Sequence, residues 1–91
     1  MNVISAQVAL YPLGEADLGA AIEAFLQVLE EHEVTYRLGS MSTLVWGEAE
    51  AVFAALEAAY LEVTRGRAAV MNLTLSNACP LPSASEGGPD A

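Results

Sequence analysis

Apolar and polar residues alternate through VISAQVALY, residues 3–11, with Ile4, Ala6, Val8 and Leu10 on one side and Ser5, Gln7, Ala9 and Tyr11 on the other. A period of two predicts a strand. Pro12 and Gly14 are expected to break it, and Asp17 is placed to cap a helix whose Leu18, Ile22, Phe25, Leu26 and Leu29 recur at helical spacing, with Glu23, Glu30 and Glu31 opposite. Two short strands are predicted over residues 34–38 and 41–46, flanking a turn at Gly39 and Ser40, and Gly47 is expected to end the second. Glu48 and Glu50 suit the positive end of a second helix, whose Val52, Phe53, Leu56, Tyr60 and Val63 form an apolar stripe closed by Arg65, Gly66 and Arg67. The last strand is predicted over residues 68–76, where Met71, Leu73 and Leu75 share one face and Asn72, Thr74 and Ser76 the other.

The order strand, helix, strand, strand, helix, strand is the split plan of ferredoxin-like α+β domains, a four-stranded antiparallel sheet with two helices on one face. The domain is expected over residues 1–80; the proline, glycine and serine of 81–91 offer nothing to bury and read as a mobile tail. A chain of 91 residues that is 54% hydrophobic has a thin core and, in this plan, a bare sheet face. Self-association into a homo-oligomer, a dimer or a tetramer, is therefore expected.

Twelve acids against three arginines and no lysine give a net charge of −9, which argues against nucleic acid and anionic lipid as partners. The same field favours a cationic ligand, or simply keeps an apolar oligomer soluble. The N-terminus has no basic region ahead of its apolar run, and no apolar run approaches the ~20 residues of a membrane span. A cytoplasmic protein without membrane insertion is expected.

Catalytic chemistry finds little footing. His32 is the single histidine, set among Glu30, Glu31 and Glu33, and reads as an exposed helix-terminal residue, since no HxxxH or HxH spacing supplies converging metal donors. Cys79 is the single cysteine, without a disulfide partner or an adjacent base, and reads as a packing residue. No glycine-rich phosphate loop is present. The expectation is no catalytic residue, no metal and no cofactor, with metal-free catalysis in a dimer pocket the enzyme class that the fold alone leaves open.

The polar rows are more informative. Ser5 and Gln7, Ser42 and Thr43, and Asn72, Thr74 and Ser76 bring short neutral donors and acceptors onto neighbouring strands, and Arg37 is the one long charged side chain among them. They form either a solvated sheet face or a polar pocket. As a pocket, they suit a buried heteroaromatic ligand, whose ring nitrogens and amino group need partners once water is removed.

Three segments, SAQVALYPLG, GSMSTLVWGEAEAVFAAL and VMNLTLSNACP, together resemble the YkoF-like thiamine-binding family of small ferredoxin-like domains. The resemblance runs from Val3 to about Pro80 and rests on the joint order and spacing of LYP, MST, GE with VF, and SNACP. It implies non-catalytic binding of thiamine or its hydroxymethylpyrimidine moiety in a cytoplasmic homo-oligomer that serves vitamin salvage or transport. One copy of the domain is present here, so a partner repeat would come from another chain. Carried over segment by segment, the ligand-binding candidates are Gln7 and Tyr11, then Ser42, Thr43, Trp46 and Glu48, then Asn72, Thr74, Ser76 and Asn77. The hydroxyls, Gln7 and Asn72 would pair with the aminopyrimidine, Tyr11 or Trp46 would stack on it, and Glu48 would face the thiazolium or serve only its helix dipole. The alternative is a homo-oligomeric interaction or regulatory module without a small-molecule ligand, its polar rows a plain sheet surface.

Overall fold

β1 (Val3–Leu13) supplies the spine of the domain, because its inward row of Ile4, Ala6 and Val8 is small and β-branched enough to pack on the pleat with no room left for water. A computed structural model describes residues 2–14, 18–40 and 42–78 of the chain. It continues through α1 (Leu18–Glu30), β2 (Thr35–Leu38), β3 (Thr43–Glu48), α2 (Ala49–Val63) and β4 (Ala68–Ser76). The strands form one antiparallel sheet in the order β2-β3-β1-β4, the ferredoxin-like arrangement, with β2 and β4 at the edges. The expected cap at Asp17, the packing role of Cys79 and the tail over 81–91 lie outside the described residues.

Two expected breaks are not breaks. β1 runs through Pro12 to Leu13, pairing Pro12 with Ala69 of β4. Its pairing with β3 stops at Val8, so beyond that point one side of β1 carries no ladder and a residue without an N–H fits there. Gly47 lies inside β3, not at its end, and pairs with Ile4. Its φ of 156° is a conformation that side chains rarely adopt, and a Cβ there would stand 3.5 Å from the Glu33 carbonyl oxygen. The turn between β2 and β3 is closed by a 2.8 Å bond from the Gly39 N–H to the Ser42 carbonyl, and that oxygen would meet a Cβ on Gly39 at 2.9 Å. β3 begins at Thr43 and not at residue 41.

Both helices cover the face bearing Ile4, Ala6, Val8 and Val45. α2 presents Val52, Ala55, Ala59 and Val63, all fully buried, and the two alanines let its backbone come close to the sheet and to α1. Phe25 and Leu29 of α1 fill the space this leaves, each about 1% exposed. His32 is half-buried in the turn after α1, where Nδ1–H donates to the Val28 carbonyl at 3.0 Å, so it is not the exposed terminal residue expected from sequence.

Replacing Phe25 with alanine should cost about 3–5 kcal/mol and lower Tm by more than about 10 °C, read by thermal denaturation. A second expectation concerns Tyr36, whose hydroxyl donates to Glu30 Oε2 at 2.6 Å. That bond, with some burial and the charge of Glu30, holds the phenol above its usual pKa. Because the folded value is the higher one, this contribution is complete below about pH 10 and is lost as pH rises through the raised value. NMR titration of the Tyr36 ring should shift to lower pH in Glu30→Gln, and an unmoved titration would contradict the assignment.

Candidate functional site

Directly opposed residues of antiparallel neighbours share a face, so the register sorts the candidates without ambiguity. One row crosses the sheet as Thr35, Trp46, Ser5 and Ser76; the next crosses it as Arg37, Leu44, Gln7 and Thr74; Asn72 then stands opposite Ala9, and Glu48 opposite Val3. All of these lie on the face away from the helices. Ser5 is buried even there, between Trp46 and Ser76. Gln7 reaches along the sheet to donate from Nε2 to Ser42 Oγ at 3.3 Å. The Ser76 hydroxyl is engaged locally, accepting the Ala78 N–H at 3.0 Å, and Asn77 is exposed past the end of β4. Glu48 occupies the N-cap position of α2 without a side-chain capping bond.

Thr43 does not belong to that assembly. It stands opposite Val8 and Leu38, on the helix side, and is 5% exposed. The polar pair Ser42–Thr43 is therefore split by the pleat, one residue to each face. Thr43 instead borders a pocket of about 410 Å3 between the first turns of α1, the far end of β1 and the turn joining β2 to β3. Val8, Leu10, Ile22, Phe25 and Leu38 make the walls apolar, while Ser40, Ser42 and Tyr11 stand at its border. Of the ten candidates, Tyr11, Ser42 and Thr43 are the ones this pocket brings together; the pleat carries the Tyr11 ring toward the open face, beside Val70.

A pocket of this size takes a small ring, with apolar walls against the faces and one or two hydroxyls to fix its edge. Thr43 can both donate and accept, as a ring nitrogen beside an amino group requires. Among the described residues no three histidine, cysteine or acidic side chains converge to hold a metal, and no helix is long and apolar enough to cross a membrane.

The family model of the YKOF-related family matches residues 3–82. The chain belongs to the YKOF-related family. No curated protein sequence matches it. Among solved structures, this YKOF-related chain is similar to the hypothetical protein MJ1052 of Methanocaldococcus jannascii, at 19% identity over 84% of this chain and 80% of that one, with a TM-score of 0.76. Protein SP2199 of Streptococcus pneumoniae is 21% identical over 81% of this chain and 84% of its own, with a TM-score of 0.75. TM0486 of Thermotoga maritima, named for a proposed part in thiamine biosynthesis or salvage, is 17% identical over 80% and 81%, with a TM-score of 0.71. At these identities the likeness shows the fold alone.

Sequence reasoning passed over most of the YKOF-related chain's pocket wall. Leu18, Ile22, Phe25 and Leu38 were expected as ordinary helix and strand apolar positions. The one signal was at the element ends: Leu18 and Leu38 stand beside turns, where a polar residue would serve, and remain 54% and 55% exposed.

Proposed function

We propose that this YKOF-related protein binds thiamine or its hydroxymethylpyrimidine moiety, without turning it over, as a homo-oligomer in cytoplasmic vitamin salvage or transport. The observation that carries the reading is the apolar pocket under α1 with Thr43, 5% exposed, in its lining. The aminopyrimidine enters between Phe25, Ile22 and Leu38, and Thr43 pairs with its polar edge. The thiazolium of whole thiamine stays toward the mouth, where the field of a chain with net charge −9 favours a fixed cation. Membership of the family supports the ligand class, as does the proposed thiamine role in the name of the Thermotoga relative. Gln7 acts through its bond to Ser42, and the row of Trp46, Asn72, Thr74 and Ser76 is left to an interface or to a second part of the ligand site.

A homo-oligomer without a small-molecule ligand is the second reading. It is favoured by Val3, Tyr11, Leu13 and Val70, which leave apolar surface on the open face at 41–50% exposure.

Two measurements separate these readings. Titration calorimetry against thiamine and against hydroxymethylpyrimidine should give saturable binding at micromolar concentration or tighter with at least one of them. No heat and no shift in melting temperature with either would favour the interaction module. Thr43→Val should weaken binding about 5- to 10-fold, as expected for one lost hydrogen bond, while Ile22→Trp, which fills the pocket, should abolish it. If Thr74→Val weakened binding and Thr43→Val did not, the ligand would belong on the open face.

A further inference from the structure

Positive charge is scarce in this chain, and every side chain that can carry it has a known place. There is no lysine; three arginines and one histidine face twelve acids. His32 lies in the turn after α1, at the opposite end of that helix from Leu18, with Nδ1–H donating to the Val28 carbonyl. Arg37 stands opposite Leu44, on the sheet face away from the helices. Arg65 is paired with Glu62 at 3.3 Å, and Arg67 precedes β4, beyond the pair of Ala68 and Leu13. None of the four lines the pocket under α1.

The border of that pocket is neutral. Leu18 and Leu38 are more than half exposed there, beside the hydroxyls of Tyr11, Ser40 and Ser42. The Gly39 N–H is already bonded to the Ser42 carbonyl at 2.8 Å, and the Ser42 hydroxyl accepts from Gln7. A phosphate group, with close to two negative charges and three strongly accepting oxygens, is ordinarily held by arginine, lysine or a run of free backbone N–H groups. The start of α1 attracts anions, but the sequence sets two carboxylates of the chain's own, Glu15 and Asp17, immediately before it.

We infer that the site discriminates against phosphate esters: it takes its ligand as the free alcohol and rejects the same molecule once that alcohol is phosphorylated. This rests on the proposed binding of thiamine or hydroxymethylpyrimidine and adds the form in which the ligand is carried. The alcohol of the pyrimidine and the thiazolium of thiamine hang from the same ring carbon, so both point to the mouth. A cation there gains from a chain of net charge −9, and a phosphate dianion loses. Salt screens the field of the whole chain over about 10 Å, but not the cost of desolvating an ester oxygen against Leu18 and Leu38. The reaction that consumes the ligand is then a phosphoryl transfer on a separate kinase. The terminal phosphoryl group of a nucleoside triphosphate passes to the alcohol, a new O–P bond forming as the bond to the β-phosphate breaks and the hydroxyl proton leaving to a base. The product no longer suits this site, so phosphorylation prevents its return.

The test is titration calorimetry of the full chain with hydroxymethylpyrimidine, its phosphate monoester, thiamine and thiamine monophosphate, at about 0.1 M and about 0.5 M salt. At the lower salt the pyrimidine ester should bind at least about 30-fold more weakly than the alcohol. Thiamine monophosphate, whose phosphate stands farther out, should bind about 5- to 10-fold more weakly than thiamine. Both ratios should narrow at the higher salt, the first staying above about 5-fold. Leu18→Arg, which sets a cation at an exposed position of the mouth, should cut the first ratio about 10-fold, whatever it does to the alcohol alone. Ester binding within about 3-fold of the alcohol, or tighter, would overturn the discrimination while leaving the ring site standing. A ratio unmoved by both salt and Leu18→Arg would overturn its electrostatic cause. Heat from none of the four would remove the ligand site itself, and the discrimination with it.

Discussion

The pairing of β1 with β3 on one side and β4 on the other is the constraint on which the rest depends. It places Ile4, Ala6 and Val8 in one row under two helices and commits every neighbouring strand to a register. A slip of one residue would exchange the two faces, carrying Gln7 and Ser5 into the core and Val8 out of it. Two short inward residues, Ala6 and Val45, oppose each other at the sheet centre, so Phe25 and Leu29 can settle between sheet and α2 without a void. The rows on the other face then form a flat, largely neutral surface.

The pocket follows from where that packing runs out. α2 lies along the sheet on its Val52, Ala55, Ala59 and Val63 seam, while the first turns of α1 overhang the region where β3 no longer accompanies β1. Beyond Val8 the inward residues Leu10 and Pro12 have no β3 neighbour, and the space beside them is bounded by Leu38 and Ile22. The residue best placed to interrupt this apolar lining is Thr43, the first of β3 and the last opposite Val8. The same limit on β1–β3 pairing explains why Pro12 is tolerated.

Much of the fold was legible from the chain. Period-two alternation gave β4 its bounds at Ala68 and Ser76, and helical spacing gave both helices, because each of these elements buries one face and shows the other. The difficulties came at single residues whose local signal is overruled by position. Proline and glycine are strand breakers on average, yet Pro12 sits where a ladder is already missing and Gly47 where the strand needs a φ of 156°. The open-face row of Gln7, Asn72, Thr74 and Ser76 was readable; its separation from Thr43 was not obvious because Ser42 and Thr43 are adjacent in a turn-flanking segment. Nor was the pocket, since its walls come from α1, β1 and the β2–β3 turn, which only tertiary packing brings together.

The central claim is that a small heteroaromatic ring sits on the helix side, against Thr43. The most direct measurement is methyl and amide NMR mapping of the full chain with hydroxymethylpyrimidine added to saturation. The account predicts the largest shifts at Thr43, Leu38, Ile22 and Leu10, with intermolecular contacts from the ring protons to those methyl groups. Perturbations confined to Asn72, Thr74 and Trp46, with the Thr43 and Ile22 signals unmoved, would contradict it and place the ligand on the open sheet face.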